Sequence, residues 1–298
     1  MVRKLEILAP SVIRNRRIGL MRKLLILAEV SLILFLLYYL TGVLTSLGFH
    51  NWQKPLFGNP ILSSILLLFV LPLSTLVLTR RNPGIYGLTN DNLRQHAQLA
   101  LRAIAVVLPA SWLFLVIGLL GTDFTQWLGS FILTLGFAAA GFVILRFTRR
   151  LENIAETKIS LYGFLAYIGL LVAGVGLVYL FHPISELIAQ IIIALIFVGF
   201  LEEFFWRGYL QRRLNDVFGR PYSLFKVNYG AGLVLTAVIF GLFHPLFANE
   251  TPLPWAWALW TATFGLILGF LREKSGAIVA PAVLHGVFLL GGVFLAIS

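Results

Sequence analysis

The chain has 298 residues, of which 59% are hydrophobic and only 12% are charged, and its mean hydropathy is +0.92. A soluble domain carries about a quarter charged residues, so this composition excludes a water-soluble protein and predicts an all-α polytopic membrane bundle. The absence of cysteine excludes disulfides and thiolate catalysis, and the net charge of +11 indicates cytosolic Lys and Arg beside a lipid bilayer rather than a nucleic-acid partner.

The first 23 residues are predicted to form a basic cytosolic tail, because they hold seven Lys or Arg. The apolar run that follows reaches about residue 47 and is too long for the core of a signal peptide. The tail either orients the chain in the membrane or lies on anionic lipid.

Nine stretches are apolar and long enough to span a bilayer as helices, for which about 20 residues suffice. They are residues 24–47, 61–79, 99–121, 126–145, 160–181, 186–206, 229–245, 256–271 and 277–297. If one stretch is re-entrant, the number of spans is eight. We divide the chain into the tail (1–23), the N-terminal membrane helices (24–159) and a core of membrane helices (160–298).

The positive charges predict the orientation of the bundle. If the N-terminus is cytosolic and nine spans alternate, 22 of the 23 Lys and Arg fall in or beside cytosolic segments, and only Lys54 falls outside. This asymmetry favours a cytosolic N-terminus and an external C-terminus. A cysteine-free chain with short loops is typical of a prokaryotic cytoplasmic membrane, which is the expected location.

Three acidic residues lie well inside the predicted spans, where charged groups are costly and are usually paired or functional. Glu29, near the cytosolic end of the first span, is expected to have a structural role. Glu203 and Arg207 are i,i+4 neighbours with the acid first, so an ion pair is predicted. Glu202 points about 100° away and is left to face a cavity or another helix. It suits a general base near neutral pH; the alternative is that both acids hold helices together through polar contacts.

Two histidines fall on late membrane helices and extend this set. His244 ends the segment AVIFGLFHP, and His285 lies inside AIVAPAVLHGVFLL. Together with Glu202 they can activate water, or they can hold a zinc ion with one open position. No HExxH spacing supports the metal. The remaining histidines are expected at the solvated surface, in loops or at span ends: His50, His96 and His182.

These residues resemble the CAAX-protease and bacteriocin-processing (CPBP, or Abi) family of intramembrane proteases. The family motif EExxxR is similar to residues 202–207 (EEFFWR), and its FxxxH motif is similar to residues 240–244 (FGLFH). A glycine-bearing helix then leads to His285, as in the family. The resemblance covers roughly residues 160–290 and implies a CPBP-like core of membrane helices.

The resemblance also implies an intramembrane endopeptidase, either glutamic-type or metal-dependent, that cleaves a peptide or protein in or at the membrane. By analogy with the family, Glu202 activates water, and Glu203 and Arg207 support it. The same analogy makes His244 and His285 the groups that bind or polarise the scissile carbonyl. If a divalent metal such as zinc takes part, the implied ligands are Glu202, His244 and His285.

One position departs from the family pattern. The family usually carries HxxxN at its last motif, whereas the fourth residue after His285 is Leu289. Losing an oxyanion donor costs on the order of 2–4 kcal/mol of barrier lowering. The alternative function is therefore a non-catalytic membrane scaffold or a bacteriocin self-immunity-type protein. A proton-coupled transporter is a third hypothesis, but the sequence has no internal repeat to support it.

The depth of the site gives a further prediction. Glu202 lies in the cytosolic half of the predicted span 186–206, whereas His244 lies near the outer end of the next span. At 1.5 Å per residue the two would be separated by roughly 10–20 Å in depth. They meet if the helix that carries Glu202 continues past residue 206, which the apolar spacing of Leu210, Leu214 and Phe218 favours, or if the helix 229–245 begins below the bilayer core.

Overall fold

A computed structural model describes residues 19–248 and 251–297, so the predicted basic tail lies almost entirely outside the described residues. The chain is 77% helical, which confirms the all-α membrane bundle. Ten helices are present in the described part: α1 (Leu20–Ser46), α2 (Phe49–Phe57), α3 (Ile61–Leu78), α4 (Leu93–Leu119), α5 (Trp127–Thr148), α6 (Leu161–Phe181), α7 (Glu186–Phe218), α8 (Ala231–Leu246), α9 (Trp257–Ser275) and α10 (Val279–Ile297). A two-stranded antiparallel hairpin, β1 (Tyr222–Leu224) and β2 (Val227–Tyr229), joins α7 to α8.

Each of the nine predicted spans coincides with one of these helices, since only α2 has no counterpart among them. Six helices are long and apolar enough to cross a membrane, namely α1 and α3 to α7. The three that follow are marginal for identifiable reasons. Helix α8 has 16 residues, the apolar described part of α10 ends at Gly291, and α9 ends in the charged run Arg272-Glu273-Lys274.

Helix α7 forms the axis of the core and has 33 residues. The predicted extension past residue 206 is confirmed, because the helix continues to Phe218. At 1.5 Å per residue such a helix is about 50 Å long, which exceeds the ~30 Å hydrocarbon thickness of a bilayer. Glu202 therefore stands at its midpoint, with helix on both sides, rather than at an end.

Two apolar clusters surround this axis. The larger one packs α7 against α1, α3 and α6, and the second fills the space between α4, α5, α9 and α10. Helices α8 and α9 approach each other almost backbone to backbone at Gly241, where an added Cβ would lie 2.6 Å from the Ala258 carbonyl oxygen. This close pairing fixes the helix that ends in His244.

Two elements differ from the expected connections. The connection between the predicted spans 24–47 and 61–79 contains a helix, α2, which lies between Gly48 and Gly58, both in the left-handed region (φ 72° and 71°). Gln53 anchors α2 to the start of α3, because its buried amide donates to Ser63 Oγ at 2.8 Å and accepts from the Leu62 N–H at 2.7 Å. The hairpin was also not predicted.

The structural role expected for Glu29 is confirmed, although its partners come from distant segments rather than from α1. Both carboxylate oxygens accept hydrogen bonds from Arg81, at 2.8 and 3.1 Å. Arg213, near the end of α7, donates at 2.9 and 2.6 Å, and the Tyr209 hydroxyl donates at 2.8 Å. This network connects α1 and the α3–α4 connection to the C-terminal part of α7.

A second ion-pair network lies around Glu156, in the connection between α5 and α6. Arg272 donates to its Oε1 at 3.3 Å, and Arg212 and Arg220 pair with the same carboxylate. Burial raises the pKa of Glu156, but the three guanidinium groups outweigh that effect and hold the pKa below its ordinary value. The carboxylate is therefore charged at neutral pH and joins the ends of α7 and α9.

Candidate active site

The middle of α7, which carries the two adjacent glutamates, is wound as a π-helix. Residues Ile193–Glu202 and Phe204–Leu210 both have this form. Segments with i→i+5 hydrogen bonds are rare and occur frequently at functional sites. The site is thus built on an irregular stretch of an otherwise regular helix.

Two glycines bring α10 against this π-helical stretch. A Cβ on Gly199 would lie 2.6 Å from the Ala282 carbonyl oxygen, and a Cβ on Gly286 would lie 2.9 Å from the Ala194 carbonyl oxygen. Real side chains do not tolerate such distances, so both positions require glycine. The close approach places His285, the neighbour of Gly286, beside Glu203.

The buried residues Glu203, Arg207 and His285 form one hydrogen-bonded cluster, which we call the Glu203 cluster. The predicted pair of Glu203 and Arg207 is present, with Nη1 2.9 Å from Oε1. His285 Nδ1 lies 2.9 Å from the same oxygen. Glu203 and Arg207 are both 0% exposed and His285 is 4% exposed, so water competes little for these bonds.

The phenylalanine of the FxxxH segment holds the cluster and the other histidine together. The guanidinium carbon of Arg207 lies 4.1 Å from the centroid of the Phe240 ring, a cation–π contact. The ring of His244 packs edge-on against Phe240 at 4.6 Å, and the ring of His285 does so at 6.1 Å. One aromatic side chain therefore contacts three of the predicted site residues.

Glycines on α9 give Arg207 room beside this ring. An added Cβ on Gly265 would lie 3.2 Å from Arg207 Nη2, and the same nitrogen donates to the Gly265 carbonyl oxygen at 3.4 Å. One turn further on, Gln211 donates to the Gly269 carbonyl oxygen at 3.1 Å. The GxxxG spacing on α9 thus gives two polar side chains of α7 a backbone partner inside the bundle.

Glu202 and His244 line a cavity of about 350 Å³, which we call the Glu202 cavity. The Glu202 side chain has no hydrogen-bond or ion-pair partner among residues 19–248 and 251–297. The walls are mainly apolar, with Leu37 and Leu67 on one side and Phe243 and Trp257 on the other. Glu202 and His244 therefore lie at the cavity wall, whereas the residues of the Glu203 cluster do not line the cavity.

The hydrogen bond of His244 determines its tautomer. Nδ1 lies 2.8 Å from the Phe240 carbonyl oxygen. Because a carbonyl oxygen can only accept, Nδ1 carries the proton. In the neutral ring Nε2 therefore has a lone pair available, and it can accept a hydrogen bond or a proton.

Some residues that line the Glu202 cavity were not recognised from the sequence. His50 was expected at the solvated surface, but it is half-buried and lines the cavity, because α2 folds back over the ends of α1 and α3. Thr41 and Ser63 join it from the N-terminal helices. The same expectation for His96 was wrong, since it is 1% exposed on α4. No local motif marks these positions, because their surroundings depend on how the helices pack.

Leu289 points to another part of the bundle. Its side chain packs against the apolar cluster between α4, α5, α9 and α10, and it is not among the residues that line the Glu202 cavity. It therefore adds packing rather than a polar group at the site.

The arrangement does not fit the three-ligand zinc site that the resemblance implied. Within the described part of the chain, no three His, Asp or Glu side chains converge as a metal site would require. The Nδ1 of His285 faces Glu203 rather than Glu202. We therefore derive no catalytic step through a metal.

The fold and this site define a polytopic helical membrane protein with a cavity of about 350 Å³ inside the bundle, whose mainly apolar wall carries a carboxylate and an imidazole. Residues 183–290, a little more than a third of the chain, match the family model described as type II CAAX prenyl endopeptidase, Rce1-like. This match confirms the resemblance to the CAAX-protease family, and it covers α7, α8, α9 and most of α10. No significant similarity to a curated protein or to a solved structure was found.

The close contact between α7 and α10 gives a testable prediction. Gly199→Ala should push α10 away, since the new Cβ meets backbone atoms of Ala282 and Gly286, and it should weaken the bond between His285 and Glu203. We expect a loss of about 1–3 kcal/mol of unfolding free energy, measured by denaturant titration in a mild detergent.

Helix α6 offers a matched control, because a Cβ on Gly169 would meet nothing within 4 Å. Gly169→Ala should leave stability within about 0.5 kcal/mol of the unmodified chain. Equal stability of the two variants would show that the α7–α10 contact is looser than the described geometry.

Proposed function

We propose that the chain is an intramembrane endopeptidase that hydrolyses peptide bonds with water activated by Glu202. The observation that carries the proposal is the placement of Glu202. It is a carboxylate without a described partner that shares one cavity with an imidazole lone pair, inside an apolar bundle. A charged group is retained in such surroundings at a cost, and it is usually functional.

In the proposed reaction, water in the Glu202 cavity attacks the carbonyl carbon of the scissile peptide bond. Glu202 takes the water proton as the new C–O bond forms, and the carbonyl oxygen becomes an oxyanion. When the C–N bond breaks, the proton passes to the leaving amine. His244, with Nε2 free to accept, takes a hydrogen bond from the water and orients it for attack.

His285 acts through its contact with Glu203. The carboxylate accepts from the Nδ1–H of the neutral ring and so fixes its tautomer and orientation, as an acid beside a histidine does in other hydrolases. His285 does not itself line the Glu202 cavity, so it acts as a positioning residue behind the cavity wall. Arg207 balances the charge of Glu203. With Leu289 in the apolar cluster, the oxyanion donor has to come from the polar groups that line the cavity, such as Thr41, His50 and Ser63.

The proposed substrate is a membrane-associated peptide or protein that is cleaved near its C-terminus, because the matched family is described as a CAAX prenyl endopeptidase. A cavity of about 350 Å³ is at the small end of ligand pockets, and it suits a few residues around the scissile bond. Its polar groups are confined to a small number of positions, among them Thr41, His50 and Ser63. These can hydrogen-bond the peptide backbone, while the leucine and aromatic walls favour apolar side chains.

The test is reconstitution of the full chain in liposomes with a farnesylated peptide that ends in a CAAX sequence, followed by mass spectrometry of the products. We expect a single cut that releases the last three residues, and an unprenylated peptide of the same sequence as a slower substrate. If the unprenylated peptide is cleaved equally well, the protease assignment stands, but the prenyl group is not part of recognition.

Leu289 favours a second candidate, a non-catalytic scaffold that binds a peptide in the same cavity. It predicts saturable peptide binding without any product. Binding measured on the same liposomes, together with the absence of cleavage over long incubation, would support this candidate and contradict the protease.

A further inference from the structure

A second cavity, of about 410 Å³, lies away from the Glu202 cavity and has a strongly basic lining, and we call it the basic recess. Its ionisable cations come from four segments of the chain: Arg22, Arg80, Arg81, Lys158, Arg212 and Arg213. One carboxylate, Asp216, is also part of the lining, together with the polar side chains of Asn82 and Tyr86. The lining holds six cations and one acid, and although Glu29 and Glu156 pair with three of the cations, positive charge remains in excess.

The cations divide into two groups. Arg81 and Arg213 are bound to Glu29, and Arg212 is bound to Glu156 and Asp216. By contrast, three cations have no ion-pair partner among the residues that the structure describes. These are Arg22, Arg80 and Lys158, all of them exposed. The paired group forms the wall, and the unpaired group forms a rim that is available to an anion.

Arg80 also occupies an uncommon backbone conformation. Its φ is 54°, in the left-handed region that favours glycine. The turn ends α3, since the Arg81 N–H donates to the Leu76 carbonyl oxygen at 2.8 Å. A glycine would make this turn at less cost, so the presence of an arginine indicates a role for its side chain.

The surroundings of the basic recess identify the source of the anion. The recess lies where α1 begins, α3 ends and α6 begins, at the end of three helices that span the membrane. Next to it are apolar side chains that the protein leaves largely uncovered: Leu20 is 73% exposed, Leu78 is 84% exposed and Tyr162 is 85% exposed. Hydrocarbon chains can pack against such a surface, whereas a free phosphate ion makes no favourable contact with it.

We propose that the basic recess binds the phosphate headgroup of an anionic phospholipid, whose acyl chains lie on the exposed apolar side chains of α1, α3 and α6. Basic pockets between membrane helices on the cytoplasmic side hold such headgroups in other proteins. Arg22, Arg80 and Lys158 contact the phosphate from the rim. Arg212 and Arg213 belong to α7, the helix that carries Glu202, so the bound lipid stabilises the C-terminal half of that helix.

The test compares thermal unfolding of the full chain in a neutral detergent as phosphatidylglycerol is added. We expect a saturable rise in Tm of roughly 3–6 °C and a one-to-one complex by native mass spectrometry. Phosphatidylcholine and inorganic phosphate serve as the two reference ligands. Neither should give the shift, since one lacks net negative charge and the other lacks acyl chains.

The matched variants each remove three positive charges. Arg22→Gln/Arg80→Gln/Lys158→Gln should lose at least about three quarters of the rise in Tm, because the ionic contacts of these side chains with phosphate provide most of the binding. The control variant is Arg94→Gln/Arg146→Gln/Arg150→Gln. It removes exposed arginines of α4 and of the end of α5, which do not line the recess, and it should keep the full shift.

Three results would overturn the proposal. Equal loss in both triple variants would indicate general attraction to an anionic surface. An equal shift with phosphatidylcholine would indicate the acyl chains alone, and an equal shift with inorganic phosphate would indicate an anion site that needs no lipid. None of these outcomes concerns peptide cleavage, so the proposal stands or fails independently of the protease function.

Discussion

Glu202→Gln is expected to reduce the rate of peptide cleavage by about 10²–10⁴-fold while leaving the fold unchanged. Loss of a positioned general base removes a contribution of about 10²–10⁴ in rate. The amide has nearly the same shape as the carboxylate but cannot take a proton from water. Because the Glu202 side chain has no described hydrogen-bond or ion-pair partner, Tm should stay within about 1 °C of the original.

The neighbouring glutamate is the matched control for this experiment. Glu203→Gln is the same chemical change one residue along α7, but it removes the charge that pairs with Arg207 and His285. We expect this variant to lose both stability and activity, whereas Glu202→Gln loses activity alone. The measurement is product formation in liposomes beside thermal unfolding in detergent. Full cleavage by Glu202→Gln would rule out Glu202 as the base.

The sequence was sufficient to predict the parts of the fold that depend on hydropathy and on local spacing. Nine apolar stretches predicted nine helices, because a bilayer demands that length and composition. The pair of Glu203 and Arg207 followed from i,i+4 spacing alone, and it persists in the π-helical stretch of α7. The extension of α7 to Phe218 followed from the apolar positions beyond residue 206.

Other features depend on contacts between distant segments, which local patterns do not encode. The turn of the β hairpin is Phe225-Lys226, with φ of 49° and 69°, and it lacks the Asn-Gly or Asp-Gly signature by which such turns are recognised. The π-helical stretch has no sequence signal of its own. The bond of His285 to Glu203 depends on two glycines, Gly199 and Gly286, that matter only once α10 is placed against α7.

The role of the N-terminal half was likewise hidden in the sequence. The family match begins at residue 183, yet one wall of the Glu202 cavity comes from α1, α2 and α3, through residues such as Thr41, His50 and Leu67. The matched segment thus contains the motif residues, whereas the Glu202 cavity also needs residues that precede that segment. The N-terminal helices therefore form part of the cavity lining together with the motif residues Glu202 and His244.

Arg207→Met is expected to destabilise the chain by about 3–5 kcal/mol, which is the cost of breaking a buried ion pair by removing one partner. Arg207 is 0% exposed, pairs with Glu203 at 2.9 Å and lies over the ring of Phe240 at 4.1 Å. Methionine fills part of the volume but leaves the Glu203 carboxylate buried with only His285 beside it. The free energy of unfolding by denaturant titration in detergent measures the effect.

A second substitution, Glu203→Gln, distinguishes between two possible causes of this loss of stability. If the penalty comes from the unpaired charge, the double variant Glu203→Gln/Arg207→Met should be more stable than Arg207→Met alone, because the buried charge is gone. If it comes from lost packing against Phe240, the double variant gains nothing. Arg94→Met, at an exposed position of α4, controls for the change in side chain and should cost less than about 0.5 kcal/mol. An Arg207→Met variant as stable as this control would mean that the Glu203 cluster positions His285 without contributing to the stability of the bundle.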